Sequence, residues 1–234
     1  MATLDIILPA YNPLPGWEEI VIKRFTSLAK QLPGIQLQLI IVNDGSSKIN
    51  ENVSIEKIKK DIQGFQWLTY TQNKGKGYAL RKGVEKSISE FIVYTDIDWP
   101  YTEESMLGLI NELMKESDAV IGIRDEAYYG QLPLARRRIS RLLKKINAKL
   151  LRLKVADTQA GLKGFRKNVK NIFLSTTINR YLFDLEFVYL LSGKKELKVT
   201  GYPIALRPGI TFSKMNRKIL FQEARNFLKI WLKK

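Results

Sequence analysis

Leu4-Asp5-Ile6-Ile7-Leu8-Pro9 is a short apolar run ended by a proline, and Leu37 to Val42 is a second, ended by Asn43-Asp44-Gly45-Ser46-Ser47. Short apolar runs closed by turn formers read as buried strands. Between them Trp17 to Gln31 carries Ile20, Val21, Phe25, Leu28 and Ala29 near the helical period, so the chain opens as strand, helix, strand. The pattern repeats. Ile55 to Ile62 predicts a helix, Trp67 to Thr71 a strand, Tyr78 to Ile88 a helix, and Phe91 to Thr95 a strand running into Asp96-Ile97-Asp98. A helix over Glu103 to Lys115 and a strand over Ala119 to Ile123 follow, and then the regular alternation gives way to a basic helix over Arg136 to Lys154. The segment Asp157 to Phe165, a helix over Phe183 to Ser192 and a late strand over Leu197 to Leu206 complete the pass. Such alternation predicts an α/β three-layer sandwich, a mainly parallel, Rossmann-like sheet between helices, with ligands at the carboxyl ends of the strands.

Composition narrows the chemistry. The 234 residues, 45% of them hydrophobic, suffice for one sizeable core, and no linker, repeat or low-complexity tract divides them. With no cysteine and no histidine there is no disulfide, no thiolate or imidazole metal site and no histidine base. Any metal must sit on oxygen, which suits Mg²⁺ or Mn²⁺, hard cations that commonly accompany phosphates. A balance of 39 Lys+Arg against 23 Asp+Glu, net +16, favours anionic partners: nucleic acid, anionic lipid or phosphorylated substrates. The basic residues concentrate in Arg136 to Lys154 and Lys214 to Lys234. Met1-Ala2-Thr3-Leu4-Asp5 enters a strand without a leader-like apolar core, and no stretch reaches the roughly 18 apolar residues of a spanning helix. The expected location is therefore cytoplasmic.

Tyr94-Thr95-Asp96-Ile97-Asp98-Trp99-Pro100 is the sharpest local signal. Two carboxylates one residue apart at the end of an apolar strand repel each other unless a cation joins them. Asp-x-Asp alone also fits two solvated loop acids. Three further motifs stand in order with it: Pro9-Ala10-Tyr11-Asn12 after the first strand, Val42-Asn43-Asp44-Gly45-Ser46-Ser47 after the second, and Asn73-Lys74-Gly75-Lys76-Gly77 before a helix. In this order and at these intervals the set resembles family 2 glycosyltransferases of GT-A fold. Asp157-Thr158-Gln159-Ala160-Gly161-Leu162-Lys163-Gly164-Phe165 is similar to the motif of the branch that glycosylates dolichyl and other polyprenyl phosphates. The resemblance covers nearly the whole chain as a single domain: residues 1–100 the nucleotide-sugar half, 101–213 the acceptor half, and 214–234 a basic amphipathic terminal helix.

The resemblance implies roles residue by residue. Asp44, with Gly45 beside it, would read the base edge of a UDP- or GDP-hexose, and Pro9, Ala10, Tyr11 and Asn12 would hold base and ribose. Asn73, Lys76 and Gly77 would lie next to them; Gly75 and Gly77 allow close backbone approach, the helix start offers free N–H groups, and Lys76 is a point charge for phosphate. Asp96 would approach the metal indirectly or bind ribose, while Asp98 would ligate Mg²⁺ or Mn²⁺ on the diphosphate. Two positions depart from the family pattern, Pro13 where a Glu is frequent and Pro100 where a Gln is frequent. On the acceptor side Arg124, Arg136, Arg137 and Ser140, and Arg207 with Ser213 and Lys214, resemble the groups that hold the acceptor phosphate and the donor diphosphate; a solvated basic face is the plain alternative for any one arginine.

A sugar hydroxyl must lose a proton as it attacks, whereas a phosphate monoester is already anionic, so a chain without histidine fits a lipid-phosphate acceptor. Asp157 is the reserve base, or else a turn residue. Asp184 and Glu186 are expected to shape the site, and transfer is expected to invert the anomeric centre. Ile219, Leu220, Phe221, Phe227, Leu228, Ile230, Trp231 and Leu232, set among Lys and Arg, fit a helix lying on an anionic membrane surface or one packed on the core. Relatives often add spanning helices, so anchoring here would be peripheral or through a membrane-protein partner. Competing readings are a family 2 enzyme with a saccharide acceptor, a nucleotidyltransferase, and a nucleic-acid-binding protein. The last leaves Asp96 and Asp98 unexplained, so no nucleic-acid partner is expected.

Overall fold

The computed structural model describes residues 1–124, 130, 134, 137, 138, 150–180, 182–210, 226, 227 and 230. Its elements are β1 (Ala2–Ala10), α1 (Trp17–Gln31), β2 (Ile35–Asp44), α2 (Glu51–Asp61), β3 (Phe65–Tyr70), α3 (Lys76–Lys86), β4 (Phe91–Tyr94), α4 (Glu103–Lys115), β5 (Ala119–Arg124), β6 (Lys163–Arg166), α5 (Lys170–Leu174), α6 (Phe183–Ser192) and β7 (Val199–Ile204). Seven strands form one sheet in the order β3-β2-β1-β4-β6-β5-β7. All neighbouring pairs are parallel except those of β6, which runs antiparallel to both β4 and β5.

Period-two alternation sorts the strand side chains into two cores. Leu4, Ile6 and Leu8 of β1, Leu39 and Ile41 of β2, and Phe91 and Val93 of β4 point to one face, where Val21, Phe25 and Leu28 of α1 and Leu109, Ile110 and Leu113 of α4 cover them. Ile7, Ile40, Val42, Ile92 and Tyr94 point to the other, against Ala79, Leu80 and Val84 of α3 and Phe183, Phe187 and Leu191 of α6. Both faces are thus closed, as the three-layer reading expects. Each such buried side chain contributes about 1.5–3 kcal/mol relative to exposure.

One central strand went unread in the sequence. Lys163-Gly164-Phe165-Arg166 is a central strand, although its pattern is not an apolar run. The described part of the terminal segment packs inward: Ile230 is 1% exposed within the α3–α6 core and Phe227 lies against it. At these two positions the membrane-facing reading is corrected in favour of its core-packing alternative. Among the described residues no helix is long and apolar enough to cross a membrane.

Candidate active site

Parallel strands end on one edge of the sheet, and because β6 runs the other way, the loop that enters it arrives at that same edge. The motifs after β1, β2, β3 and β4 therefore meet the Asp157–Leu162 loop. Gly161 marks the contact: a Cβ there would stand 2.4 Å from Asp96 Oδ2 and 3.3 Å from Lys76 Nζ. Its amide donates to the Tyr101 hydroxyl at 2.7 Å, which fixes the loop against the turn after β4.

Lys76 forms an ion pair with Asp96. Burial would depress the Lys76 ammonium, but Asp96, Asp184 and Asp98 outweigh it and hold its pKa above the usual lysine value. Asp98, two residues on, is exposed and among the described residues has no ion-pair partner. Desolvation first, and the Asp96 carboxylate second, push its pKa up, with Lys76 and Arg207 pulling back. Asp96 and Asp98 thus offer hard oxygen donors on one turn. Among the described residues no group of three or more acidic or other metal-ligating side chains exists, so a bound ion would need waters or a ligand's phosphates to fill its shell. That donor set fits Mg²⁺ or Mn²⁺, which keep several waters and bind through one or two carboxylates plus phosphate oxygens.

Asp44 is 3% exposed and its carboxylate is taken up by the protein. It accepts from the Tyr70 hydroxyl at 2.7 Å, Asn73 Nδ2 at 2.8 Å, and the amides of Lys74 at 2.8 Å and Gly75 at 2.9 Å. Four donors use the four lone-pair sites of a carboxylate, so Asp44 ties the β3–α3 turn to β2, and reading a base would require it to release one of them. Burial and this contact raise the Tyr70 hydroxyl well above its ordinary value. Asn12, at φ 44, accepts from the amides of Ser47 and Lys48 and donates its own amide to Ser46, stapling the Gly45 loop to the end of β1. Pro9 and Ala10 close β1, and Tyr11 is 53% exposed, a ring open for stacking.

The glycines before α3 serve a different neighbour from the one expected. A Cβ on Gly75 would meet the Asn179 carbonyl oxygen at 2.4 Å, and one on Gly77 the Ile178 oxygen at 2.6 Å and Phe183 Cβ at 2.7 Å. The Gly77 amide already donates to the Asn179 oxygen at 2.8 Å. Close approach here admits the segment before α6, and Glu186 holds that segment by accepting from the amides of Thr177 and Ile178.

Arg124 and Asp157, read separately in the sequence, are brought together as a buried pair. Arg124 Nη2 reaches Asp157 Oδ1 at 2.6 Å, while its Nε and backbone amide reach Oδ2 at 2.8 and 2.9 Å. The side chains are 8% and 0% exposed. A carboxylate so enclosed and charge-compensated is poorly placed to take a proton, and the Nε and Nη2 of its arginine are engaged with it. Beneath the Asp96 turn lies a further pair, Lys163 Nζ with Asp184 Oδ1 at 2.5 Å, which the Tyr94 hydroxyl joins at 2.7 Å. Burial drives Lys163 below the usual lysine value against the pull of Asp184. Lysine in an otherwise buried stretch was the available signal for this pair. Arg207 donates to the backbone oxygens of Trp99 and Asp98, and Arg137 to the Gly130 oxygen at 3.2 Å. Arg136, Ser140, Ser213 and Lys214 lie outside the described residues.

A seven-stranded mixed sheet with one antiparallel strand beside β4, an acidic turn at the carboxyl end of β4 and helices on both faces defines the GT-A class. The model of the family named glycosyl transferase family 2 matches residues 5–173, and the chain belongs to that family. It is 28% identical over 201 residues to dolichyl-phosphate beta-glucosyltransferase of Dictyostelium discoideum, covering 80% of this chain but 61% of that protein. To the human protein of the same name it is 26% identical over 249 residues, covering 97% and 77%. The chain thus spans less than two thirds of the Dictyostelium relative. In fold it is similar to glucosyl-3-phosphoglycerate synthase from Mycobacterium tuberculosis, solved in complex with Mn²⁺, UDP and glucosyl-3-phosphoglycerate: TM-score 0.58 at 16% identity, over 99% of this chain and 79% of that one.

Proposed function

We propose that this chain transfers a hexose, glucose first, from UDP- or GDP-hexose to a polyprenyl phosphate with inversion at the anomeric carbon. Family membership and the dolichyl-phosphate relatives support the reaction class. The observation that carries the acceptor is the state of Asp157. The carboxylate best placed by sequence to deprotonate a hydroxyl is 0% exposed and clasped by Arg124, Asp44 and Asp184 are saturated or paired, and Asp96 is paired with Lys76. An acceptor that arrives already ionised needs none of them.

In this reading Asp98, with Asp96 beside it, would hold Mg²⁺ or Mn²⁺ at the donor diphosphate, and the ion would supply charge compensation for the departing group. The chain's own residues do the rest. Lys76 adds a cation at the same edge, Tyr11 stacks with the base, and the Asn12 and Asp44 turns keep these side chains in register. Arg136, Arg137 and Ser140 are assigned to the acceptor phosphate, with Ser213 and Lys214. Positioning two anions in line while excluding water is the main catalytic contribution. The work is assigned to a cytoplasmic membrane face, reached peripherally or through a membrane-protein partner.

The test is a donor-turnover assay with UDP-glucose and GDP-mannose, Mn²⁺, and either a polyprenyl phosphate or free saccharides, with the anomer of the product read by NMR. Lipid-phosphate-dependent turnover giving the inverted anomer is expected. Turnover with a saccharide alone, or full activity after chelation, would overturn it.

A further inference from the structure

The turn that carries Asp98 is held in an uncommon shape. Trp99, a bulky residue 2% exposed, sits at φ 47 in the left-handed region. Its amide closes the turn on the Asp96 carbonyl at 2.9 Å. Such backbone persists only where the surroundings over-determine it. Here the surroundings are the chain just past β7. Arg207 Nε donates to the Trp99 carbonyl at 2.6 Å and Nη2 to the Asp98 carbonyl at 2.7 Å. The Arg207 amide donates to the Pro100 carbonyl at 2.9 Å, Leu206 bridges Tyr101, and Thr102 donates to the Ala205 carbonyl at 3.0 Å.

We propose that Arg207 is a positioning residue, a latch that fixes the Asp96–Pro100 turn by forking across two consecutive carbonyls and so aims the Asp98 carboxylate, instead of binding phosphate itself. The functional consequence rests on the metal-binding reading above; the latch does not. A planar guanidinium presents two parallel N–H groups at a fixed spacing, which matches adjacent carbonyl oxygens. A lysine ammonium can satisfy one oxygen but cannot span both. For a phosphate ligand the ranking differs, because a point charge would retain much of the function.

Arg207→Ala and Arg207→Lys separate these roles. Amide hydrogen exchange on the metal-free protein should rise by about ten-fold or more across residues 96–101 in both variants, with β1 and β2 unchanged. Electron paramagnetic resonance titration of Mn²⁺ in the presence of UDP or GDP should show affinity about ten-fold weaker in both. Unchanged exchange at 96–101, rescue by lysine, or a rise spread over the whole sheet would each overturn the latch. If the wild-type chain binds no Mn²⁺ with either nucleotide while exchange behaves as expected, the latch stands and the metal reading falls.

Discussion

The acidic turn after β4 and the buried pairs beside it use the same residue types to opposite ends. Asp157 and Asp184 are enclosed, each matched to a cation, Arg124 or Lys163, at 2.6 and 2.5 Å. Asp98 lies a short distance along the same sheet edge, exposed and without such a partner among the described residues. An enclosed carboxylate contributes order, because removing either partner strands the other charge away from water. An open one can be removed without leaving a buried charge unpaired. Proximity in sequence to a family motif does not separate the two cases; solvent access and charge pairing do.

The contrast can be broken at several points. Asp157→Ala should cost about 3–5 kcal/mol of stability in urea unfolding, since it leaves the Arg124 guanidinium buried without its carboxylate; wild-type stability with selective loss of turnover would return Asp157 to catalysis. Asp98→Ala should do the reverse, lowering turnover about 10²- to 10³-fold, equivalent to about 2.7–4 kcal/mol. Its unfolding free energy should stay within about 0.5 kcal/mol of wild type. Chelation of the wild type should reproduce that loss, and added Mn²⁺ should reverse it. Ile230→Ala should cost at least about 2 kcal/mol if the terminal segment belongs to the core, and vesicle binding unchanged by the substitution would agree. The smallest effect is expected at Gly161→Ala, where the new methyl stands against Asp96: about 1–3 kcal/mol of strain, seen as weaker donor binding with the overall fold kept by circular dichroism.

Local signals were legible and distant pairings were not. Apolar period and end signals set α1, α4 and the helix over Phe183–Ser192 at the bounds the structure shows, and the motifs at the strand ends do converge on one edge. What escaped depends on residues far apart in the chain. Arg124 finds Asp157 across 33 positions, and Gly77 meets Asn179 across still more. Nothing local tells a glycine that clears room for a ligand from one that clears room for the chain itself. β6 escaped for a related reason: Lys163 is stabilised inside the core by Asp184, so a strand at the centre of the sheet carries a charge that a pattern search reads as surface.

The reversed strand also dictates an order of assembly. β4 ends at Tyr94 and β5 at Arg124, yet the strand that must lie between them begins only at Lys163. During synthesis β1 to β4 can pair as they emerge, whereas β5 must wait, its inner edge bare, until the ribosome has delivered the segment that wedges in beside it. The β1–β4 motifs are therefore delivered first, and the loop bearing Gly161 is the keystone that joins β5 to them.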